Sequence, residues 1–133
     1  CLLSRGLGDV YKRQTWYWPA DENPRSRRHA FDERLRLLAP FDPVVWDRRR
    51  FTLLWGWTYK FEAYTPPTQR QLGYYALPML WRGHVIGWAN LQARDGRLEP
   101  SFGYVAGAAP GDAVFRSALD EELQRMEQFL APR

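Results

Sequence analysis

Cysteine, histidine and lysine are nearly missing from this chain. Cys1 is its one cysteine, so neither a disulfide framework nor a cysteine-based zinc site can form within it. His29 and His84 are its two histidines, and they lie too far apart for ligand spacing. That argues against a conventional metal site, while a site built of carboxylates stays open. No apolar run approaches the ~20 residues of a membrane span, and no secretory leader is visible. The simplest reading is a soluble domain in a reducing, intracellular compartment. Lysine is confined to Lys12 and Lys60, so nearly all positive charge is arginine. Arginine suits phosphate recognition and ring stacking, but a GC-rich coding sequence produces the same bias. The formal net charge is +4. Part of it comes from Arg5, Lys12 and Arg13 against Asp9, so charge alone does not establish nucleic-acid binding.

Aromatic residues and proline are abundant instead. Residues 1–14 (CLLSRGLGDVYKRQ) stand apart: they lack the Trp and Pro that saturate the following stretch, and they show no clean period. They resemble the translated adapter tails found at the ends of assembled metagenomic reads, and fold reasoning excludes them. On that reading the natural chain continues upstream of Thr15, where any catalytic residues would lie.

Residues 15–28 read as loop, broken by Pro19 and Asn23-Pro24. Trp16-Tyr17-Trp18 beside Arg25-Ser26-Arg27-Arg28 suits either base stacking or packing on a neighbouring domain, and packing is favoured. Leu35 and Leu37 alternate with Arg34 and Arg36, which favours a short strand over a helix. Asp42 and Pro43 form a cap and first position for a helix from Pro43 to about Trp55, ended by Gly56. Apolar residues on several sides of that helix predict that it is sandwiched.

From Trp57 the period becomes two. Trp57, Tyr59, Phe61 and Ala63 predict the core face of a first strand ending near Tyr64. Leu72–Trp81 is a second strand, with Pro78 marking an edge or bulge. Arg82-Gly83 is a two-residue hairpin turn, and His84–Ala93 a third strand with a close approach or bulge at Gly87. Asp95-Gly96 is a type I′ turn signal. Arg97–Ala106 is a fourth strand, interrupted by Pro100. After a break at 107–111, Asp112 caps a helix to about Leu130. Its apolar stripe is Val114, Phe115, Ala118, Leu119, Leu123, Met126 and Phe129. Asp120-Glu121-Glu122 reads as a solvated face. The expected fold is α+β: a small antiparallel meander or partial barrel of about four strands with a C-terminal amphipathic helix.

Three ordered segments carry a resemblance: LLAPFDPVVWDRRR (37–50), WGWTYKFEAYTP (55–66) and GYYALPMLWRGHVIGWANL (73–91), closed by FGYV (102–105) and the last helix. Together they resemble the C-terminal part of the YcaQ/AlkZ-type winged-helix family of bacterial DNA glycosylases. The resemblance implies three parts: 1–14 artefact, 15–55 the end of a winged-helix region with a linking helix, and 56–133 a β-rich domain. It implies a cytoplasmic, nucleoid-associated monomer that binds double-stranded DNA and its own upstream winged-helix modules, without a membrane. The implied activity is N-glycosidic hydrolysis of alkylated bases or interstrand crosslinks, with no metal or organic cofactor. The family's catalytic Gln–hydrophobic–Gln/Asp triplet lies upstream of this region. Gln69-Arg70-Gln71 mimics it with a charged centre in a loop, so no catalytic residue is assigned here. The DNA-contact candidates are Arg48, Arg49, Arg50, Lys60, Arg70 and Arg82. For each singly, a surface or ion-pair role is at least as favoured. Two other readings remain: a winged-helix DNA-binding protein without glycosylase activity, and a purely structural β domain.

Overall fold

Two tight turns shape the C-terminal half. The computed structural model of the protein describes residues 17–95 and 97–130, with the backbone of Leu3 and Ser4. It divides into two units, Cys1–Phe31 and Asp32–Arg133. In the first, β1 (Leu3–Ser4) pairs antiparallel with β2 (Trp18–Pro19). Ser26 caps a 3-10 turn at Arg27–His29 by accepting the Arg28 N–H. Glu22 gathers the Arg28 guanidinium at 2.6 Å and the His29 ring at 3.3 Å. The adapter-tail reading of residues 1–14 falls outside the described residues, save that β1 lies within that span.

In the second unit, β3 (Arg36–Leu37), β4 (Leu77–Trp81), β5 (His84–Arg94) and β6 (Arg97–Tyr104) form one antiparallel sheet in chain order. Trp81 faces His84 across a turn in which Arg82 (φ 46) and Gly83 (φ 78) are both left-handed. That is the geometry a primed hairpin turn requires. Arg94 faces Arg97 at the next turn, where Asp95 has φ 50. Pro78 stands where β3 ends. Its carbonyl accepts the Leu38 N–H at 2.8 Å, and the missing return donor is the one proline lacks. The expected bulge lies one residue on, between Met79 and Leu80. Gly87 is the expected close approach: a Cβ there would stand 2.1 Å from the Gly103 carbonyl oxygen.

Two cores flank the sheet. Leu35, Met79, Trp81 and Ala89 pack with Phe115 and Ala118 of α3 (Ala113–Leu130). Leu38, Val45, Phe51, Tyr59, Ala76 and Val85 form the second, with α1 (Pro43–Trp46), α2 (Arg48–Trp55) and the loop after them. The register shift lets Val85 and Trp88, three residues apart, both serve the second core.

Several expectations need correction. Trp57–Tyr64 is not a strand; the fourth strand is β3 instead. Trp57 and Tyr59 do turn inward, but their polar tips bind backbone: Trp57 Nε1–H donates to the Val85 carbonyl (3.0 Å) and Tyr59 O–H to that of Ala76 (2.8 Å). Alternation records which side chains are inside, not whether a neighbouring strand exists. The strand expected from Leu72 starts at Leu77, because residues 71–73 donate their N–H groups to Glu62. The helix over 43–55 breaks at Asp47, which caps α2 by accepting the Arg50 N–H. It is not sandwiched on every side either, since Trp46 is well exposed. Pro100 does not interrupt its strand, because β6 is at the sheet edge, and that strand ends at Tyr104. On α3, Val114 and Phe129 are exposed, whereas Glu122 is buried. It accepts the Leu37 N–H at 2.8 Å and pairs with Arg125 at 2.7 Å.

Candidate nucleic-acid interface

Residues 40–75 combine helix caps, a loop and most of the candidate cations. Asp42 caps α1 by accepting the Val44 N–H at 2.8 Å, with Pro43 at the first position. Gly56 (φ 77) closes α2 in a left-handed cap. The chain then runs past Tyr59 to Glu62, the most consequential carboxylate of the molecule. Glu62 is buried, and one of its oxygens accepts the N–H groups of Gln71 (2.8 Å), Leu72 (2.7 Å) and Gly73 (3.2 Å). Burial pushes its pKa up, but those three N–H groups, helped by nearby Lys60, bring the net shift below the usual value. Asn90 tightens the same loop by donating to the Leu72 carbonyl at 2.8 Å. The sequence reading assigned Glu62 no role. The available signal was a lone carboxylate inside an aromatic run, shortly before a proline pair and Gly73.

The six candidate cations have unlike surroundings. Arg48 is half-buried and structural in its contacts: it donates to the carbonyls of Val45 (2.7 Å) and Pro40 (3.1 Å) and lies 4.5 Å over the Tyr59 ring. Burial lowers its pKa, with partial compensation from Tyr59. Burial likewise pushes the Tyr59 hydroxyl up to about 12. Arg49 is exposed and has no recorded partner among the described residues. Arg50 is exposed and donates to the Pro43 carbonyl. Lys60 is exposed. Arg70 donates to the Thr65 carbonyl at 2.8 Å and lies 5.0 Å over the Tyr74 ring. Arg82 is different: it pairs with Glu33 (2.6 Å) and Asp112 (3.6 Å) and stacks 4.8 Å from Trp81.

Among the described residues, none of Arg48, Arg49, Arg50, Lys60 and Arg70 forms an ion pair with a carboxylate. The three carboxylates of this stretch, Asp42, Asp47 and Glu62, accept backbone N–H groups instead. The stretch therefore presents unneutralised positive charge. It also exposes four large rings: Phe41 is 65%, Tyr64 94%, Tyr74 59% and Tyr75 43% exposed. Gln69 and Gln71 are exposed in the loop. Among the described residues, no group of three or more His, Cys, Asp or Glu side chains could hold a metal ion. No described helix is long and apolar enough to cross a membrane.

The model of a family described as DNA glycosylase AlkZ-like matches residues 5–129. No solved structure matches the chain.

Proposed function

The chain belongs to the AlkZ-like DNA glycosylase family, and from that premise we propose that these residues hold and orient double-stranded DNA rather than cleave the glycosidic bond. One observation supports this most: among the described residues the cations of residues 40–75 form no salt bridge with a carboxylate, while the carboxylates of that stretch are engaged by backbone. Free guanidinium and ammonium groups displace condensed counterions from phosphates at little internal cost. Arg49, Arg50, Lys60 and Arg70 carry most of the contact. Arg48 shapes the surface from beneath. Arg82 contributes less, because a phosphate must first displace Glu33 and Asp112.

On this reading, bond cleavage belongs to upstream winged-helix modules of the same monomer, acting on alkylated bases or interstrand crosslinks of nucleoid DNA in the cytoplasm, without a metal or cofactor. Glu62, the buried carboxylate of this stretch, is committed to holding the loop. The test is fluorescence anisotropy with a labelled duplex across a salt series. Affinity should fall with salt, with a logarithmic slope near −0.9 for each phosphate neutralised. Replacing Arg49, Arg50, Lys60 and Arg70 by glutamine should flatten that slope by up to about 3.6 units. An unchanged slope would refute the assignment. Release of a base from alkylated duplex by this chain alone would refute the proposed division of labour.

A further inference from the structure

Four rings gather on the exposed side of the loop. Phe61 is central, with Phe41 at 5.4 Å, Tyr64 at 6.2 Å and Tyr75 at 5.3 Å, all edge-on. Phe41, Tyr64 and Tyr75 nonetheless remain 65%, 94% and 43% exposed. A soluble surface seldom leaves so many large rings together without a use for them. The neighbouring Tyr59 shows that this segment can bury a ring: it is only 2% exposed and its hydroxyl is satisfied.

The cluster is also held in place. Glu62, next to Phe61, binds the N–H groups of Gln71, Leu72 and Gly73, tying the backbone before Tyr64 to the backbone before Tyr74 and Tyr75. Gly73 sits at φ 119, and a Cβ there would meet Asn90 Oδ1 at 2.3 Å. Rings fixed in advance lose little freedom when a flat partner stacks on them. Cations border them: Arg70 lies 5.0 Å over Tyr74, and Lys60 precedes Phe61 with its side chain exposed. Flat apolar faces beside unpaired positive charge match a ligand with planar rings strung on a polyanion. A paired duplex hides its base faces within the stack, whereas an unpaired strand offers them.

We propose that Phe41, Phe61, Tyr64 and Tyr75, bordered by Lys60 and Arg70, form a stacking platform for unpaired nucleobases, so that the domain favours DNA containing unstacked bases over fully paired duplex. This rests on the DNA-binding reading above and adds the form of DNA preferred.

The test uses the 133-residue chain and three labelled probes: a short oligothymidylate strand, a duplex with a central unpaired bubble, and the same duplex fully paired. The strand and the bubble should bind about tenfold more tightly than the paired duplex. Tyr64→Ala with Tyr75→Ala should erase that preference while leaving paired-duplex affinity unchanged. Tyr64→Phe, which keeps the ring, should retain it. If the double variant loses its circular dichroism, Tyr64→Ala alone gives the reading, since that ring is 94% exposed. Equal affinity for all three probes, or a preference untouched by ring removal, overturns the platform and leaves the duplex reading standing. Failure to bind any DNA overturns both. If ring removal changes the chain's own sedimentation and not DNA binding, the rings face protein and the proposal is wrong.

Discussion

Acidic side chains serve different partners in two regions of the second unit. In residues 40–75, Asp42, Asp47 and Glu62 all accept backbone N–H groups, and among the described residues the cations around them form no salt bridge. In the sheet and α3, carboxylates face arginines: Asp32 with Arg36, Glu33 with Arg82, Glu99 with Arg94 and Glu122 with Arg125. Similar residue types thus give opposite surfaces. A carboxylate bound to backbone shapes the chain and leaves a neighbouring guanidinium available, while one bound to arginine neutralises it. A net charge summed over the chain hides this division.

The largest effect should come from removing the carboxylate that shapes the loop. Glu62→Ala removes a buried carboxylate and strands three N–H groups in a part-buried loop, and should lower unfolding free energy by about 4 kcal/mol. Glu122→Ala removes one N–H bond and one part-exposed pair, and should cost about 2 kcal/mol. Urea titration reads both. A larger loss for Glu122→Ala would mean that the loop depends on other contacts and that the contrast is misplaced.

Acid separates the two regions next. The Glu62 carboxyl titrates below its unfolded value of 4.5, so its stabilising contribution is present above that pH and fades as pH falls through the lower folded value. Glu62→Gln should remove this acid-dependent loss. Asp32 is held at about 2, chiefly by its hydrogen bonds to Arg36, yet that pair is exposed. Asp32→Asn should therefore leave the acid limb of a urea-midpoint profile nearly as in the parent. At the alkaline end, Tyr59 titrates at about 12, above its unfolded 10.0. Its contribution holds below pH 10 and is lost as pH rises toward 12, and Tyr59→Phe should flatten that limb.

Local chemistry explains which features could be read from the residues. Arg82-Gly83, Asp42-Pro43, Gly56, Gly87 and the Asp112 cap, whose carboxylate accepts the Phe115 N–H at 2.6 Å, depend on neighbours in sequence or on backbone sterics, and the structure has each of them. The aromatic run at 57–64 misled because its partners are distant. Trp57 bonds to Val85, and Glu62 to residues 71–73 across a loop. Nothing in the local alternation tells a rung of sheet from a side chain that caps one. Glu122 misled for the same reason: its partner Leu37 is 85 residues away. The candidate interface was readable in its cations, but not in its rings. Tyr64 is the exception: it stands off the expected core face of the alternation, and it is exposed.

The smallest expected effect concerns Arg82, the one candidate cation already matched by carboxylates. Its pairs with Glu33 and Asp112 are exposed, so the Coulomb gain is screened and partly offset by the ordering of long side chains. Alanine retains the left-handed strain at φ 46 that arginine already bears, which isolates the charge from the backbone. Arg82→Ala should leave the urea midpoint without a resolvable shift. It should also weaken duplex binding less than Lys60→Ala does, because the phosphate contact it could offer requires breaking two ion pairs first. If Arg82→Ala instead cost more affinity than Lys60→Ala, phosphate would have to outcompete both carboxylates. The hairpin tip, and not residues 40–75, would then be the principal point of DNA contact.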